Sequence, residues 1–333
     1  MQQIATRIDE DISKVESTIE DDYLALTMGV ALVDRSGVGR LSVSGEDALD
    51  LLNRLSTNEL MTLEVGEGAP TILTSNKGRI VDLLHVFRLH DRLFVMTSPG
   101  NQQKVAEWID FYTFVEDVVV EDSTNSTKML SIVGPDSATF LDELTNGQAS
   151  KLQLHERFGS EVGGIPAEVY RTDFLGGPSF DIVVEVEQGE RLFGILTNSG
   201  AVAVGTDAVE AVRIENSVPA FGKELTEVYN PHEANLVDHV SFSKGCYIGQ
   251  EVVARLQTYQ KVQRYLVSLR WQNAELAPGG KLMLDSKQIG VVTSSSPLST
   301  IDEGIGLGYV RKELAEDGTV VTSEDGTDVV VIT

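Results

Sequence analysis

Residues 40–60, RLSVSGEDALDLLNRLSTNEL, combine a short strand, a glycine turn and a helix in one continuous segment. Apolar and polar residues alternate before Gly45, which is typical of a strand, and Leu49, Leu52 and Leu55 then fall on one helical face. Strand-like and helical runs joined by polar turns continue to residue 122. The segment therefore predicts the start of an α/β unit that contains hairpins.

A second segment, MLSIVGPDSATFLDEL (129–144), repeats this design at an offset of 89 residues. It is followed by another hairpin pattern around Gly176 and Gly177 and by a helical run that ends near Gly200. We interpret the repeat as a duplicated strand-helix-hairpin unit. The matching positions are Gly45 with Gly134, Asp47 with Asp136, and Leu52 with Leu141.

From residue 260 onward the pattern changes to short alternating runs separated by turn residues, without a convincing helix. This spacing is typical of a small β-barrel. Together with a polar, helical opening of the chain, the patterns predict three domains. The first α/β unit spans 1–125, the second α/β unit spans 126–258, and the barrel spans 259–333.

The composition indicates a folded, strongly acidic protein. Of the 333 residues, 41% are hydrophobic and 23% are charged, which is ordinary for globular chains. Lys and Arg number 26 against 51 Asp and Glu, so the net charge is −25. Such a field repels nucleic acid and anionic membranes, which we do not expect as partners. With only 11 lysines, the surface suggests a halophilic source; an ordinary acidic cytosolic protein is the alternative.

A single cysteine, Cys246, excludes an intrachain disulfide and suits a reducing compartment. The chain shows neither a secretory leader nor an apolar run long enough to span a membrane, so we expect a cytoplasmic protein. One thiol cannot hold an iron–sulfur cluster, and the histidines lack metal-ligand spacing, so we predict no metal site. The histidines are His85, His90, His155, His232 and His239.

The segment NPHEANLVDHVSFSKGCYIGQEVVARL (230–256) is the densest candidate for chemistry. Lys244 and a helix start after Gly249 would both favour the thiolate of Cys246, making it a nucleophile or redox group. The alternative is that a lone cysteine packs as a small buried side chain. Gly245 and Gly249 suit a close approach to other backbone. The motif comprises Lys244, Gly245, Cys246, Tyr247, Gly249, Gln250, Glu251 and Arg255.

This motif resembles the signature of the YgfZ-type folate-binding proteins, which are related to the glycine-cleavage T-protein, an aminomethyltransferase. The similarity continues in the same order through STNEL (56–60), TSNKGRIVDLL (74–84), AVRIENSVPAFGKEL (211–225) and SSSPLSTIDEGIGLGYV (294–310). The resemblance implies an α+β cloverleaf of three domains. Two α/β units with antiparallel sheets would surround a central opening for tetrahydrofolate, beside a C-terminal β-barrel.

The resemblance also implies site residues. Asp82 falls where the T-protein has a catalytic carboxylate beside the folate, although the motif allows a register one residue away. Asp181 stands where that family has a pterin-binding Glu, with a side chain one methylene shorter. Arg213 and Glu215 match its folate-site arginine and glutamate. From the residues alone, Asp82 could be a solvated strand residue, and Arg213 and Glu215 an ordinary ion pair.

Three functions remain open on this basis. The leading hypothesis is a tetrahydrofolate-binding YgfZ-type protein that supports assembly or repair of iron–sulfur client proteins, with Cys246 as the working group. The alternative is an aminomethyltransferase in which Asp82 assists one-carbon transfer to tetrahydrofolate from a lipoyl-carrying partner. The third is a folate-sensing or interaction module without turnover.

Overall fold

A computed structural model describes residues 18–259, 261–300 and 302–333. Residues 1–17, which carry most of the predicted opening helix, lie outside the described part of the chain. The described helices are α1 (Ile19–Met28), α2 (Ala48–Leu55), α3 (Gln102–Phe111), α4 (Ser137–Thr145), α5 (Gly189–Asn198), α6 (Thr206–Glu215) and α7 (Gln250–Tyr259).

The described strands of the first two thirds of the chain are β1 (Ala31–Asp34), β2 (Gly39–Ser44), β3 (Gly68–Thr74), β4 (Ile80–Arg88), β5 (Leu93–Thr97), β6 (Val119–Asp122), β7 (Thr127–Val133), β8 (Arg157–Val162), β9 (Ile165–Thr172), β10 (Ser179–Glu185) and β11 (Val202–Ala203). The remaining strands are β12 (Arg264–Trp271), β13 (Lys281–Leu284), β14 (Lys287–Ser295), β15 (Gly304–Arg311), β16 (Val320–Ser323) and β17 (Asp328–Ile332).

Four strands run in the same order in the two sheets, as a duplicated unit predicts. The first runs β3-β4-β5-β2-β6 and the second runs β8-β9-β10-β7-β1-β11. The repeated glycines have the same function, because Gly45 (φ 112°) and Gly134 (φ 117°) turn the chain from strand into helix. A side chain at either glycine would collide with a neighbouring backbone carbonyl, of Asp117 and Gly29 respectively. The sequence repeat is therefore a structural repeat.

Strand β1 precedes the first sheet in sequence but belongs to the second. It pairs antiparallel with β7 and parallel with β11. Helix α1 packs with α6 over this edge through an apolar cluster that includes Leu26, Val33 and Val212. The domain boundaries at 125/126 and 258/259 stay a prediction, and the strand pairing adds that β1, from the first range, belongs to the second sheet.

Each sheet has one face covered by its own helices, and the other faces meet. Phe87 and Phe94 of the first sheet pack on Tyr170 of the second, with ring centroids 4.7 and 4.9 Å apart. All three rings are buried. Burying such rings contributes roughly 1.5–3 kcal/mol each, so the interface is a core and fixes the two units against each other.

The last strands close into a barrel in the order β12-β15-β14-β13-β16-β17, which confirms the barrel prediction. Its apolar interior is built around Trp271 and the valines of β17. Glu233, from the linker before α7, pairs with Arg79 of the first unit and Arg264 of the barrel, joining the domains. The protein thus has the expected α+β architecture of two sheet-based units and a barrel. In the described ranges, no helix is both long and apolar enough to cross a bilayer.

Candidate functional site

Strand β4 presents different side chains to its two faces, and this decides where Asp82 lies. Leu84 packs among the helices of the first unit, whereas Phe87 packs against the second sheet. By alternation Asp82 lies on the helix side, and Leu83 and His85 face the second unit. The Asp82 carboxylate is fully buried and accepts the backbone N–H groups of Leu83 (2.9 Å) and Ser98 (3.2 Å).

Asp82 is therefore not a solvated strand residue. Its burial raises the pKa of the carboxyl, but the group is held beside the start of α3 and not between the two units. The alternative register, one residue further along, places Leu83 in the outward position. The catalytic and folate-contacting roles of Asp82 stay a prediction that this geometry does not favour.

Asp181, on the second sheet, is fully buried and fully hydrogen-bonded. Arg35 Nη1 donates to both carboxylate oxygens at 2.8 and 2.9 Å, Thr172 donates at 3.0 Å, and the Ser131 hydroxyl donates as well. These four bonds fill the four usual acceptor positions of a carboxylate. Asp181 is thus arranged to fix Arg35, and its direct contact with a pterin stays a prediction.

Arg35 is the cation that Asp181 positions. Its guanidinium lies over the Phe174 ring, 3.7 Å from the centroid. The side chain keeps 17% of its surface exposed. Among the described residues, its Nε and Nη2 groups have no hydrogen-bond acceptor. Arg35 therefore offers fixed, unused donors beside an aromatic face.

Three histidines from separate parts of the chain form a group that reaches this arginine through His85. The rings of His85 and His155 lie 5.9 Å apart, and both Nδ1 atoms are buried without a hydrogen-bond partner in the part of the chain that the structure describes. Burial, with the nearby His155, lowers the pKa of His85 to about 4, and burial also lowers those of His155 and His239. The negative charge of Asp173 opposes the lowering of all three pKa values. At neutral pH the imidazoles are uncharged.

We call this group the central site; it comprises Arg35, His85, His155, Asp173, Phe174 and His239. It combines cationic donors, an aromatic face and neutral imidazoles that can donate or accept, which suits a flat polar heterocycle. In the part of the chain that the structure describes, no three His, Cys, Asp or Glu side chains are grouped to hold a metal ion. Sequence reasoning missed this site, although the alternation along β4 marks His85 as facing away from the helices.

Arg213 and Glu215 are not paired with each other. Buried Arg213 binds Glu210 (2.6 Å), Glu224 (3.1 Å) and the Ser294 hydroxyl (2.7 Å), so it ties α6 to the barrel. Glu215 instead accepts a hydrogen bond from Tyr23 and lines a surface groove with Ser217 and Tyr265. The ion-pair interpretation holds for Arg213, with other partners than expected. Folate contact by these two residues stays a prediction.

The ammonium group of Lys244 is not directed at the thiol of Cys246. Its ammonium turns inward and donates to the backbone carbonyls of Asn53 (2.7 Å), Ser56 (3.0 Å) and Asn58. Burial lowers its pKa to about 8. Cys246 itself is exposed, so the alternative of a buried packing cysteine is wrong, and so is the expectation that Lys244 stabilises the thiolate.

The rest of the motif anchors this loop to the first unit. Tyr247 is buried, which raises its pKa to about 12, and Thr74 donates to the Ile248 carbonyl at 2.5 Å. Gly249 (φ 83°) lies so close to the 74–78 turn that a Cβ atom would be 2.5 Å from the Ser75 carbonyl oxygen. Gly245 has open space around it, contrary to the expectation of a close approach. Gln250 closes the loop onto the Gly245 carbonyl (3.3 Å), and Glu251 and Arg255 are exposed on α7.

Comparison with known proteins matches two family models in succession. The GCVT N-terminal domain covers residues 5–244, and the glycine cleavage T-protein C-terminal barrel domain covers residues 264–330. A chloroplastic protein of Arabidopsis thaliana, which bears a transferase name without a stated reaction, is 30% identical over 95% of this chain and 73% of its own. The aminomethyltransferase of Streptomyces avermitilis is 29% identical over 92% of this chain and 84% of its own.

The fold has a solved counterpart. The crystal structure of the glycine cleavage system aminomethyltransferase T from Bartonella henselae superposes with a TM-score of 0.85 at 21% identity, covering 95% of this chain and 88% of that one. At this identity the superposition bears on the fold alone.

Proposed function

Because the chain belongs to the glycine cleavage T-protein family, we propose that it binds a tetrahydrofolate at the central site and supports iron–sulfur proteins through Cys246. The observation that carries the folate proposal is the set of unused polar groups there. Within the described ranges, Arg35 keeps donors without an acceptor, and the Nδ1 atoms of His85 and His155 are buried without partners. Buried polar groups without partners are costly, so a ligand that pairs with them gains affinity.

The residues of the central site fit a reduced pterin. Arg35 would donate to ring oxygen or nitrogen acceptors while Asp181 holds its orientation. Phe174 limits the site with an aromatic surface, and the neutral imidazoles would bond to ring N–H groups or nitrogen lone pairs. Tetrahydrofolate bound there would supply a carrier for one-carbon units.

The proposal for Cys246 rests on its exposure within an anchored loop. Lys244, Tyr247 and Gly249 are held against the first unit, whereas the thiol faces solvent. A single thiol lacks the ligands to retain a cluster, so it would act transiently on a client protein.

A second candidate is aminomethyl transfer to tetrahydrofolate with a lipoyl-carrying partner. The names of several relatives favour it, including the Streptomyces avermitilis protein. The geometry of β4 argues against aminomethyl transfer. Leu83, and not Asp82, points away from the helix side of the strand, so no carboxylate of β4 faces the second unit to take a proton from the reacting amine.

Calorimetry with tetrahydrofolate tests the binding step. Ligand at about 100 times its dissociation constant should raise the free energy of unfolding by roughly 2.7 kcal/mol. Arg35→Gln and His155→Gln should weaken binding, whereas the matched control Arg191→Gln, exposed on α5 outside the central site, should not. Absence of both heat and a melting shift at millimolar ligand would contradict folate binding.

A second pair of assays separates the two candidates. Incubation with tetrahydrofolate and an aminomethylated lipoyl donor should yield no methylene-tetrahydrofolate. Cys246→Ser should fail to restore iron–sulfur enzyme activity in a deletion strain. Turnover of the donor, together with full rescue by Cys246→Ser, would move the assignment to aminomethyl transfer.

A further inference from the structure

Strand β6 is an open edge of the first sheet, although the same position in the second sheet is covered. By position in the sheets, β6 beside β2 corresponds to β1 beside β7. In the second sheet β11 adds outside β1, through pairing at Ala31 and Leu32. In the described ranges 18–259, 261–300 and 302–333, no strand adds outside β6. The second sheet therefore fills a strand position that the first sheet, in the described ranges, leaves open.

The free edge of β6 has backbone groups in the orientation that a further strand needs. The Ser123 amide donates to the Arg40 carbonyl at 2.9 Å, in register with the antiparallel pairing of β6 and β2. Since hydrogen-bonded residues alternate along an antiparallel strand, the amides of Val119 and Glu121 face β2. Those of Val120 and Asp122 then face outward.

Large apolar side chains are exposed directly before this strand. Phe111 is 68% exposed, Phe114 79% and Val115 95%. We call these three residues the apolar patch. Charged residues on an edge strand commonly prevent pairing, but exposed aromatic and aliphatic side chains do the opposite. Glu116 fixes the loop by accepting the amides of Phe114 and Val115, so the patch is held in place.

The charge around the edge determines which partner fits. Residues 110–122 contain five carboxylates and neither Lys nor Arg. A second copy of β6 would bring acidic strands together, and like charges on paired strands are destabilising. The segment 1–17 carries four acidic and two basic residues, so it too has the same sign. A segment with basic residues is complementary.

We propose that the β6 edge and the apolar patch bind an extended segment of another protein, in which basic and apolar side chains alternate. The segment adds as a sixth strand through the outward amides and carbonyls of Val120 and Asp122. Its apolar side chains cover the patch, and its basic side chains face Glu121 and Asp117. This is recognition by strand addition, in which backbone bonds supply affinity and side chains supply specificity.

The test uses an extended peptide of alternating valine and lysine, labelled for fluorescence anisotropy, with the full chain. Phe114→Ser with Val115→Ser should weaken binding by about tenfold or more, since two large apolar contacts are lost. Met28→Ser, which also removes an exposed apolar side chain but far along the chain, is the matched control and should leave affinity unchanged.

Hydrogen exchange provides the readout that distinguishes strand addition from simple charge attraction. The amides of Val120 and Asp122 should exchange fast in the free protein, and peptide binding should slow their exchange. Binding that vanishes at high salt without this protection, or equal affinity for the patch variant, would overturn the proposal. Protection of both amides in the free protein would also overturn it, because the edge would already be covered by a second copy or by residues 1–17.

Discussion

Replacing Gly249 by Ala should destabilise the protein strongly, and the structure gives the size of the effect. The residue has a φ of 83°, a conformation that costs an L-residue roughly 1–2 kcal/mol. The new Cβ would also lie 2.5 Å from the Ser75 carbonyl oxygen and 2.8 Å from Thr74 Oγ1. Relieving such an overlap in a packed region costs typically 1–3 kcal/mol. The expected loss in the free energy of unfolding is therefore about 2–5 kcal/mol.

Urea unfolding measures this loss, and hydrogen exchange locates it. Faster exchange should be confined to the 74–79 turn and the loop before α7, because these are the two segments in contact. Gly245→Ala is the matched control, since a Cβ there meets no atom within 4 Å. It should change stability by less than about 0.5 kcal/mol. Equal unfolding midpoints for the two variants would refute the claim that the motif anchors the loop by close backbone contact.

Four further results are expected. As pH falls from 6.5 towards 4, wild type should lose up to about 3 kcal/mol of stability relative to His85→Gln. The reason is that the imidazole of the unfolded chain binds a proton in this range, whereas the folded one, with a pKa of about 4, does not. A stability difference that does not change with pH would contradict this. Asp181→Asn should cost roughly 1–3 kcal/mol in chemical unfolding, because the half-buried Arg35 loses its counter-charge, and an unchanged midpoint would count against that pair. Lys244→Met should leave the iodoacetamide labelling rate of Cys246 in folded protein unchanged, whereas a clear fall would restore Lys244 as the thiolate's partner. Molar potassium chloride should raise the melting temperature, because its ions screen the repulsion that arises from the −25 charge. The Debye length shrinks from roughly 30 Å at 0.01 M to roughly 3 Å at 1 M. A melting temperature that does not change with salt would reject the halophile interpretation.

Much of the fold could be predicted from the sequence, because each unit is built from elements that follow one another along the chain. Gly45 and Gly134 mark the same turn, and the alternation after residue 260 marks the barrel. The exchange of β1 into the second sheet could not be predicted, since the four-residue strand ALVD carries no information about its partner. Pairing over such a distance is decided by tertiary packing.

The site was harder to predict because its parts come from distant positions. His85, His155 and His239 have no regular spacing, and only the folded chain brings them together. Lys244 and Cys246 are neighbours in sequence, so proximity suggested an electrostatic pair. The direction of the Lys244 side chain depends on three carbonyls near the end of α2, which the motif itself does not reveal.

The placement of β1 also sets the order in which the chain can assemble during synthesis. Ala31 pairs with Val133, so β1 leaves the ribosome well before its partner β7 exists. At roughly 5–20 residues per second, that interval lasts about 5–20 s. Strands β2 to β6 complete the first sheet meanwhile without it. When β7 emerges, β1 is already available to pair with it. The apolar strand β7 therefore does not stay unpaired until β10 has been synthesised. A chain lacking β1 would fold its first sheet normally and expose β7 to aggregation during translation.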